Sequence, residues 1–308
     1  MSIRTPAILV ALTTLAVLLG YSQPAGALPP ITLTGIDLPT VLTVDERARL
    51  AEFGLLDRED SDDSLQKVRT IVLDPGHGGE NDGAIGVEGI KEKYLTLEIA
   101  YQLRDRIHEK YPDVRVVLTR YWDRQLGLSE RIHFANNLGA DLFLSLHYNA
   151  AVHQRAVGFE TYFLATRQAT PGQQDVEGEP IATASTTVTG LDRKTYGKEQ
   201  GPYNSAMAAL QRDLERARQH KESGLLANVV NRNLDRKLDT MNRGVKQANF
   251  GVLRGALMPA VVVEGGFLTH PDEGEEVFEE AHQKRVTSAL LEAIEEFDQR
   301  LVDRDASQ

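Results

Sequence analysis

The sequence predicts an α/β fold: a single domain on a mostly parallel twisted sheet with helices on both faces. Three observations lead there. Short β-branched apolar runs alternate with amphipathic stretches in the order strand, helix, strand, helix, strand, the pattern of crossover-connected parallel strands. Several runs are apolar throughout instead of alternating, as in strands covered on both sides. One of them runs straight into a histidine and another reaches one through a short Pro/Gly turn, at the strand end where such sheets gather ligands.

The compact part opens with Thr70 to Leu73, which feeds the Pro/Gly-broken turn D-P-G-H-G-G carrying His77. Lys91 to Lys110 places Leu95, Ile99, Leu103 and Ile107 at four-residue spacing and stops at Tyr111-Pro112, so it predicts an amphipathic helix with a proline stop. Val114 to Thr119 is a second strand, and Ser129 is the expected N-cap of a helix through Leu138 that closes on Gly139. Asp141 to Leu146 is a third strand, delivering His147, and Phe159 to Leu164 a fourth.

Ala165 to about Tyr203 has no clear period and reads as an insertion. Two helices are expected after it, Ser205 to Lys221 and Leu225 to Leu238, the second with a buried stripe at Leu226, Val229, Val230, Leu234 and Leu238. Asn249 to Arg254 and Ala260 to Glu264 read as strands. The chain closes in a helix from Gln283 to Val302 with Val286, Leu290, Ile294, Phe297 and Leu301 on one face.

Composition narrows the chemistry. With 308 residues, 41% apolar and 26% charged, the chain can bury a large core. A net charge of -11 argues against a polyanion-binding surface, so no nucleic-acid partner is expected. There is no cysteine, which excludes thiol nucleophiles, disulfides and thiolate metal sites; a transition metal here needs His, Asp or Glu. Residues 1–27 read as a cleaved signal peptide, with Arg4, the apolar run Ala7 to Leu19 and small residues Ala25-Gly26-Ala27 at the cleavage positions. Export without a stable membrane anchor is the expectation, and residues 28–68 read as a lead-in to a domain at 69–303.

The strand ends supply His77, His147 and Glu264, with Glu88, Glu92 and Glu98 around the start of the first helix. Two histidines and a carboxylate are the usual protein ligands of a catalytic zinc, and a further carboxylate beside the water suits proton transfer. Glu264, with Gly265-Gly266 after it to admit a substrate, fits that second role. Spacing alone does not choose among the three helix glutamates. Of the other histidines, His270 lies near Glu264, whereas His108, His133, His153, His220 and His282 read as solvated.

D-P-G-H-G-G at 74–79, K-E-K at 91–93, L-T-R at 118–120, S-L-H-Y-N-A at 145–150, N-R-G-V-K at 242–246 and V-E-G-G-F at 263–267 occur in an order typical of one family. Through them the chain, over about Val68 to Leu301, resembles the zinc-dependent N-acetylmuramoyl-L-alanine amidases of the AmiC type. The resemblance implies that His77, Glu92 and His147 bind Zn2+ and that Glu264 is the catalytic glutamate. It further implies cleavage of the amide between muramic acid and L-alanine in peptidoglycan, by a periplasmic or otherwise exported bacterial monomer. Other readings are a zinc amidase acting on another amide and an inactive metal-binding wall adaptor. Two departures stand out: Glu80-Asn81-Asp82-Gly83 replaces the family's usual turn, and Thr269-His270 replaces Ser-Asn. Some members carry a helix that plugs the zinc cleft until a protein activator displaces it. By that analogy Ser205 to Lys221, within an insertion at about 165–221, is expected to plug the cleft, with Asp213, Glu215 or Glu222 near the metal.

Overall fold

The computed structural model describes residues 64–152, 154–165 and 202–307; the expectations for the signal peptide, the lead-in up to residue 63 and the segment 166–201 lie outside them. The described chain runs β1 (Thr70–Pro75), α1 (Glu92–Lys110), β2 (Arg115–Leu118), α2 (Leu128–Asn137), β3 (Leu142–Asn149) and β4 (Phe159–Leu164). It continues as α3 (Pro202–Lys237), β5 (Asn242–Ala248), β6 (Ala260–Phe267), α4 (Pro271–Glu276) and α5 (Glu280–Ala306). The strands form one sheet in the order β2-β1-β3-β6-β4-β5.

Four strands, β2, β1, β3 and β6, are parallel, as their apolar runs predict. β4 is antiparallel to β6, and β5 is parallel to β4. The reversal follows from connection length. Only residues 150–158 join β3 to β4, too few for a crossover back to the opposite edge of the sheet, so β4 starts at the edge where β3 stops.

One face of the sheet is packed by α1, α3 and α5, whose buried stripes include Ile99 and Leu103, Leu226 and Leu234, and Leu290 and Phe297. The other carries α2 and the 3₁₀ turn Gly251–Leu253 over Val72, Phe143 and Val262. Among the described residues no helix is long and apolar enough to cross a membrane.

Several local expectations are corrected. α2 is capped by Gly127, not Ser129: Gly127 N–H donates to Glu130 Oε2 at 2.7 Å, while the Glu130 amide donates back to Gly127 O at 3.0 Å. Asn249 to Arg254 is not a strand; the ladder lies earlier, at β5, and the later residues make the 3₁₀ turn. The two helices expected at Ser205–Lys221 and Leu225–Leu238 are one, α3, passing through Gly224, where a Cβ would lie in ordinary contact with the Phe163 ring at 3.4 Å. His282 is buried, not solvated.

The direction of α3 carries Ser205 to Lys221 away from the histidines, while residues 166–201 of the expected insertion lie outside the described residues. Gln219 Nε2 donates to Met258 O and Ser223 Oγ accepts the Ala260 amide, just before and at the start of β6. The helix then climbs to the β6 carboxyl end only over its second half. Residues 210–218 are exposed on every side. At 1.5 Å per residue, the helix from Ser223 back to Pro202 extends roughly 30 Å beyond the sheet edge opposite the histidines. Glu222 pairs with Arg304 at 2.6 Å and Asp213 lies 3.8 Å from Arg216; neither stands near His77.

Candidate metal centre

The carboxyl ends of β1 and β3 and the first turn of α1 bring three of the expected residues together. Glu92 Oε2 lies 3.0 Å from His77 Nε2, Glu92 Oε1 lies 3.1 Å from His147 Nδ1, and the two imidazole nitrogens are 3.2 Å apart. Among the described residues this is the one group of three or more His, Asp or Glu gathered closely enough to hold a metal. Nitrogen and oxygen donors bound about 2.0–2.1 Å from a tetrahedral ion sit about 3.3 Å from one another, so the trio has the right chemistry and the right spread. Glu98, on the same helix, is exposed and bonds Gln102.

The candidate donors are held from behind. Glu92 is buried and accepts the Ala84 amide on Oε2 at 2.8 Å and the Tyr148 amide on Oε1 at 2.9 Å. Asn81, in the departing turn, accepts the Gly83 amide on Oδ1 and places that same oxygen 2.9 Å from His77 Nδ1. Because this oxygen is an acceptor, His77 Nδ1 is the donor and Nε2 is left facing the centre. The changed turn therefore orients the His77 ring. Lys93 staples it to α1 by reaching Asp82, Asp123 and Gly79 O at 2.7–2.9 Å.

His77 itself has φ 59°, a left-handed conformation that a non-glycine residue keeps only where its surroundings impose it. Two buried arginines do so. Arg131 from α2 donates to Asp74 Oδ1 and Pro75 O at 2.8 Å and to His77 O at 2.7 Å. Arg120 donates to Pro75 O and Gly76 O at 2.9 and 2.7 Å. Burial and the Arg131 charge pull the Arg120 pKa down to about 10. Burial pushes Asp74 up, but Arg131, Thr119 and Ser145 outweigh it and keep the carboxyl below its ordinary value.

The electrostatics of the trio favour a cation. Burial opposes charge on both partners, yet the hydrogen bonds from His147 and His77 hold Glu92 well below the usual carboxylate range. Glu92 in turn raises His77 against its burial. A metal entering this group displaces protons bound there, so its affinity rises with pH.

Glu264 lies directly beside the trio: it is the register partner of His147 on the neighbouring strand. Register partners share a face about 4.8 Å apart, so the fourth expected residue is on the strand next to His147 and on the same face. The glycines serve packing more than access. A Cβ on Gly76 would fall 2.3 Å from the His147 ring, one on Gly78 2.2 Å from Arg124 O, and one on Gly265 2.8 Å from the Tyr148 ring. In place of the expected substrate access, Gly265 makes room for the Tyr148 ring, and a Cβ on Gly266 would fall 3.0 Å from Val277 Cγ1. His270 is no ligand; it caps α4, its Nδ1 accepting the Glu273 amide at 3.2 Å.

Sequence reasoning passed over Glu160. It is buried at the start of β4, opposite Glu264 in the antiparallel ladder, and contacts Asn149, Arg243 and Lys246. The motif N-R-G-V-K held two of those partners, but nothing local tied them to Glu160.

Two imidazoles and a carboxylate at the end of an α/β sheet, with another carboxylate on the neighbouring strand, make a donor set that could hold a metal ion in an enzyme site. Residues 71–296 match the family model Amidase_3, N-acetylmuramoyl-L-alanine amidase. AmiA of Escherichia coli K12, an N-acetylmuramoyl-L-alanine amidase, is 30% identical over 226 residues, 73% of this chain and 75% of that protein. The sporulation-specific amidase of Bacillus subtilis is 34% identical over 198 residues, 64% of this chain and 56% of that protein. The catalytic domain of the amidase CwlV of Paenibacillus polymyxa superposes with a TM-score of 0.54 at 26% identity, over 74% of this chain and 97% of that one. The chain belongs to the Amidase_3 family of N-acetylmuramoyl-L-alanine amidases, enzymes that act on peptidoglycan.

Proposed function

We propose that the chain is a zinc amidase, with the ion held by His77, Glu92 and His147 and Glu264 moving the proton, acting on peptidoglycan outside the cytoplasm. The observation that carries this is the placement of Glu264 as register partner of His147, beside three converging donors. Zinc in such a set acidifies water and polarises a carbonyl.

The chain's own residues do the rest. Glu92, ionised and doubly anchored by backbone amides, offers one oxygen toward each histidine. Glu264 takes a proton from the attacking water and hands it to the departing alanine nitrogen, so that the amide C–N bond breaks as a neutral amine leaves. Burial of Glu264 and Glu92 keeps the reacting region poor in water, where these charges act strongly. Peptidoglycan lies outside the cytoplasm, which agrees with the signal-like residues 1–27.

The test is Glu264→Gln assayed on purified sacculi together with metal content. Retained zinc with release of muramoyl-cleaved peptides reduced at least about 100-fold is the expected result. Full activity in the variant refutes the role of Glu264, and a wild-type protein that takes up no zinc refutes the metal site.

A further inference from the structure

Next to Glu264 on the same face, one strand further from the two histidines, lies a charged group that the hydrolysis does not use. Glu160 is 3% exposed and both its oxygens are engaged: Oε1 accepts Asn149 Nδ2 at 2.8 Å, and Oε2 accepts Lys246 Nζ and lies 3.5 Å from Arg243 Nε. Glu160 is therefore an anchor and has no oxygen to spare for a ligand. The two cations it holds are about a third exposed, Arg243 31% and Lys246 39% on their side chains. Each also sits over an aromatic ring: the Arg243 guanidinium 5.0 Å from the Phe267 centroid and Lys246 Nζ 5.6 Å from that of Tyr162. Two positive charges on one buried carboxylate leave one in surplus over Glu160, with Glu264 one strand away, and the rings and the anchor hold both cations in place before anything binds.

We infer that Arg243 and Lys246, held by Glu160, form a subsite for a substrate carboxylate on the peptide side of the cleaved amide, one residue beyond the alanine. The register sets the distance. Glu160 is opposite Glu264 one strand over, about 4.8 Å, and β5 is a further strand away. In an extended peptide the next residue's Cα lies 3.8 Å from that of alanine, and its carboxylate carbon about 6–7 Å from the alanine nitrogen. A substrate whose alanine nitrogen receives a proton from Glu264, and whose peptide continues toward β5, brings that carboxylate over β4, where the two cations meet. In the stem peptide this group is the α-carboxylate of the second residue, a D-glutamate, which exists free or as the carboxamide.

The inference rests on the amidase reading, and its test separates the two. Zinc-loaded full-length protein is given muramoyl-L-Ala-γ-D-Glu-L-Lys and its α-carboxamide for initial rates, and the two corresponding free tripeptides for binding by calorimetry. The wild type is expected to favour the free carboxylate about tenfold, in KM and in binding, less so at high salt. Lys246→Met and Arg243→Gln bring both ratios toward one. The double variant Glu160→Gln with Lys246→Met avoids an unbalanced buried carboxylate and should lose the preference as well. Equal wild-type handling of the two peptides, or a preference that survives these substitutions, overturns the subsite. Binding that discriminates without any turnover supports the subsite and counts against the amidase reading.

Discussion

Replacing Arg131 by Met tests whether the loop that presents His77 is held from beneath. The Arg131 side chain is 4% exposed and that of Asp74 0%, so solvent screens their pairing little. At 2.8 Å the gross attraction is about 6 kcal/mol for an effective dielectric of 20. Desolvation offsets part of this in the intact pair, but removing one member strands the other, which costs about 3–5 kcal/mol. Thr119 and Ser145 still donate to Asp74 at 2.5 and 2.8 Å, whereas the carbonyls of Pro75 and His77 lose a donor. We therefore expect Arg131→Met to cost about 4 kcal/mol in urea unfolding and zinc affinity to fall roughly 10- to 100-fold. Arg131→Lys keeps the charge but not the fork and falls between the two. Adding Asp74→Asn to Arg131→Met removes the stranded charge, so the double variant costs at least about 2 kcal/mol less than the sum of the singles. A single-variant cost below about 1 kcal/mol, or additive costs, refutes the pairing; unchanged zinc affinity refutes the link to His77.

Three further outcomes are expected. Gly76→Ala, with its Cβ 2.3 Å from the His147 ring, should lower zinc affinity at least about tenfold while costing about 1–3 kcal/mol, and competition with a chelator reads this out; undiminished affinity means that the ring has room. Because the pKa of Asp74 is lowered in the fold from 3.8, its contribution is complete above that unfolded value and is lost as pH falls through the folded one. The stability gap between wild type and Asp74→Asn should therefore narrow as pH drops from about 4 to 2; a constant gap contradicts the shift. Asp298 accepts the amides of Gln66, Lys67 and Val68 at 2.7–2.9 Å. Asp298→Ala should cost about 2–4 kcal/mol and speed hydrogen exchange at those three amides, which unchanged exchange would disprove.

The features legible in the sequence are those whose cause is local. β1 and β6 announce themselves as T-I-V-L and A-V-V-V because strands buried on both faces need unbroken apolar runs, and His77, His147 and Glu264 could be picked out because each follows such a run. Glu92 could not be separated from Glu88 and Glu98 by spacing, since what selects it is the reach of the Ala84 and Tyr148 amides. The direction of β4 was hidden because an apolar run carries no arrow; the short link from β3 decides it. Gly224 looked like a helix end and is a packing contact with Phe163. Arg131, Asn149 and Glu160 lie 57, 11 and 86 residues from the partners that give them meaning, Asp74, Glu160 and Lys246, and such pairings are set only by the completed sheet.

The course of α3 gives the molecule two poles. Chemistry occupies the end of the sheet where β1, β3 and β6 stop. β4 carries the chain to the other end, where Ala165 bonds Ala248 and where the exposed stretch 210–218 of α3 stands off like a spoke. Length gained next to Ala165 or at the start of α3 enters at that second pole, so the fold can be elaborated there while the spacing of His77, Glu92, His147 and Glu264 stays as the sheet sets it.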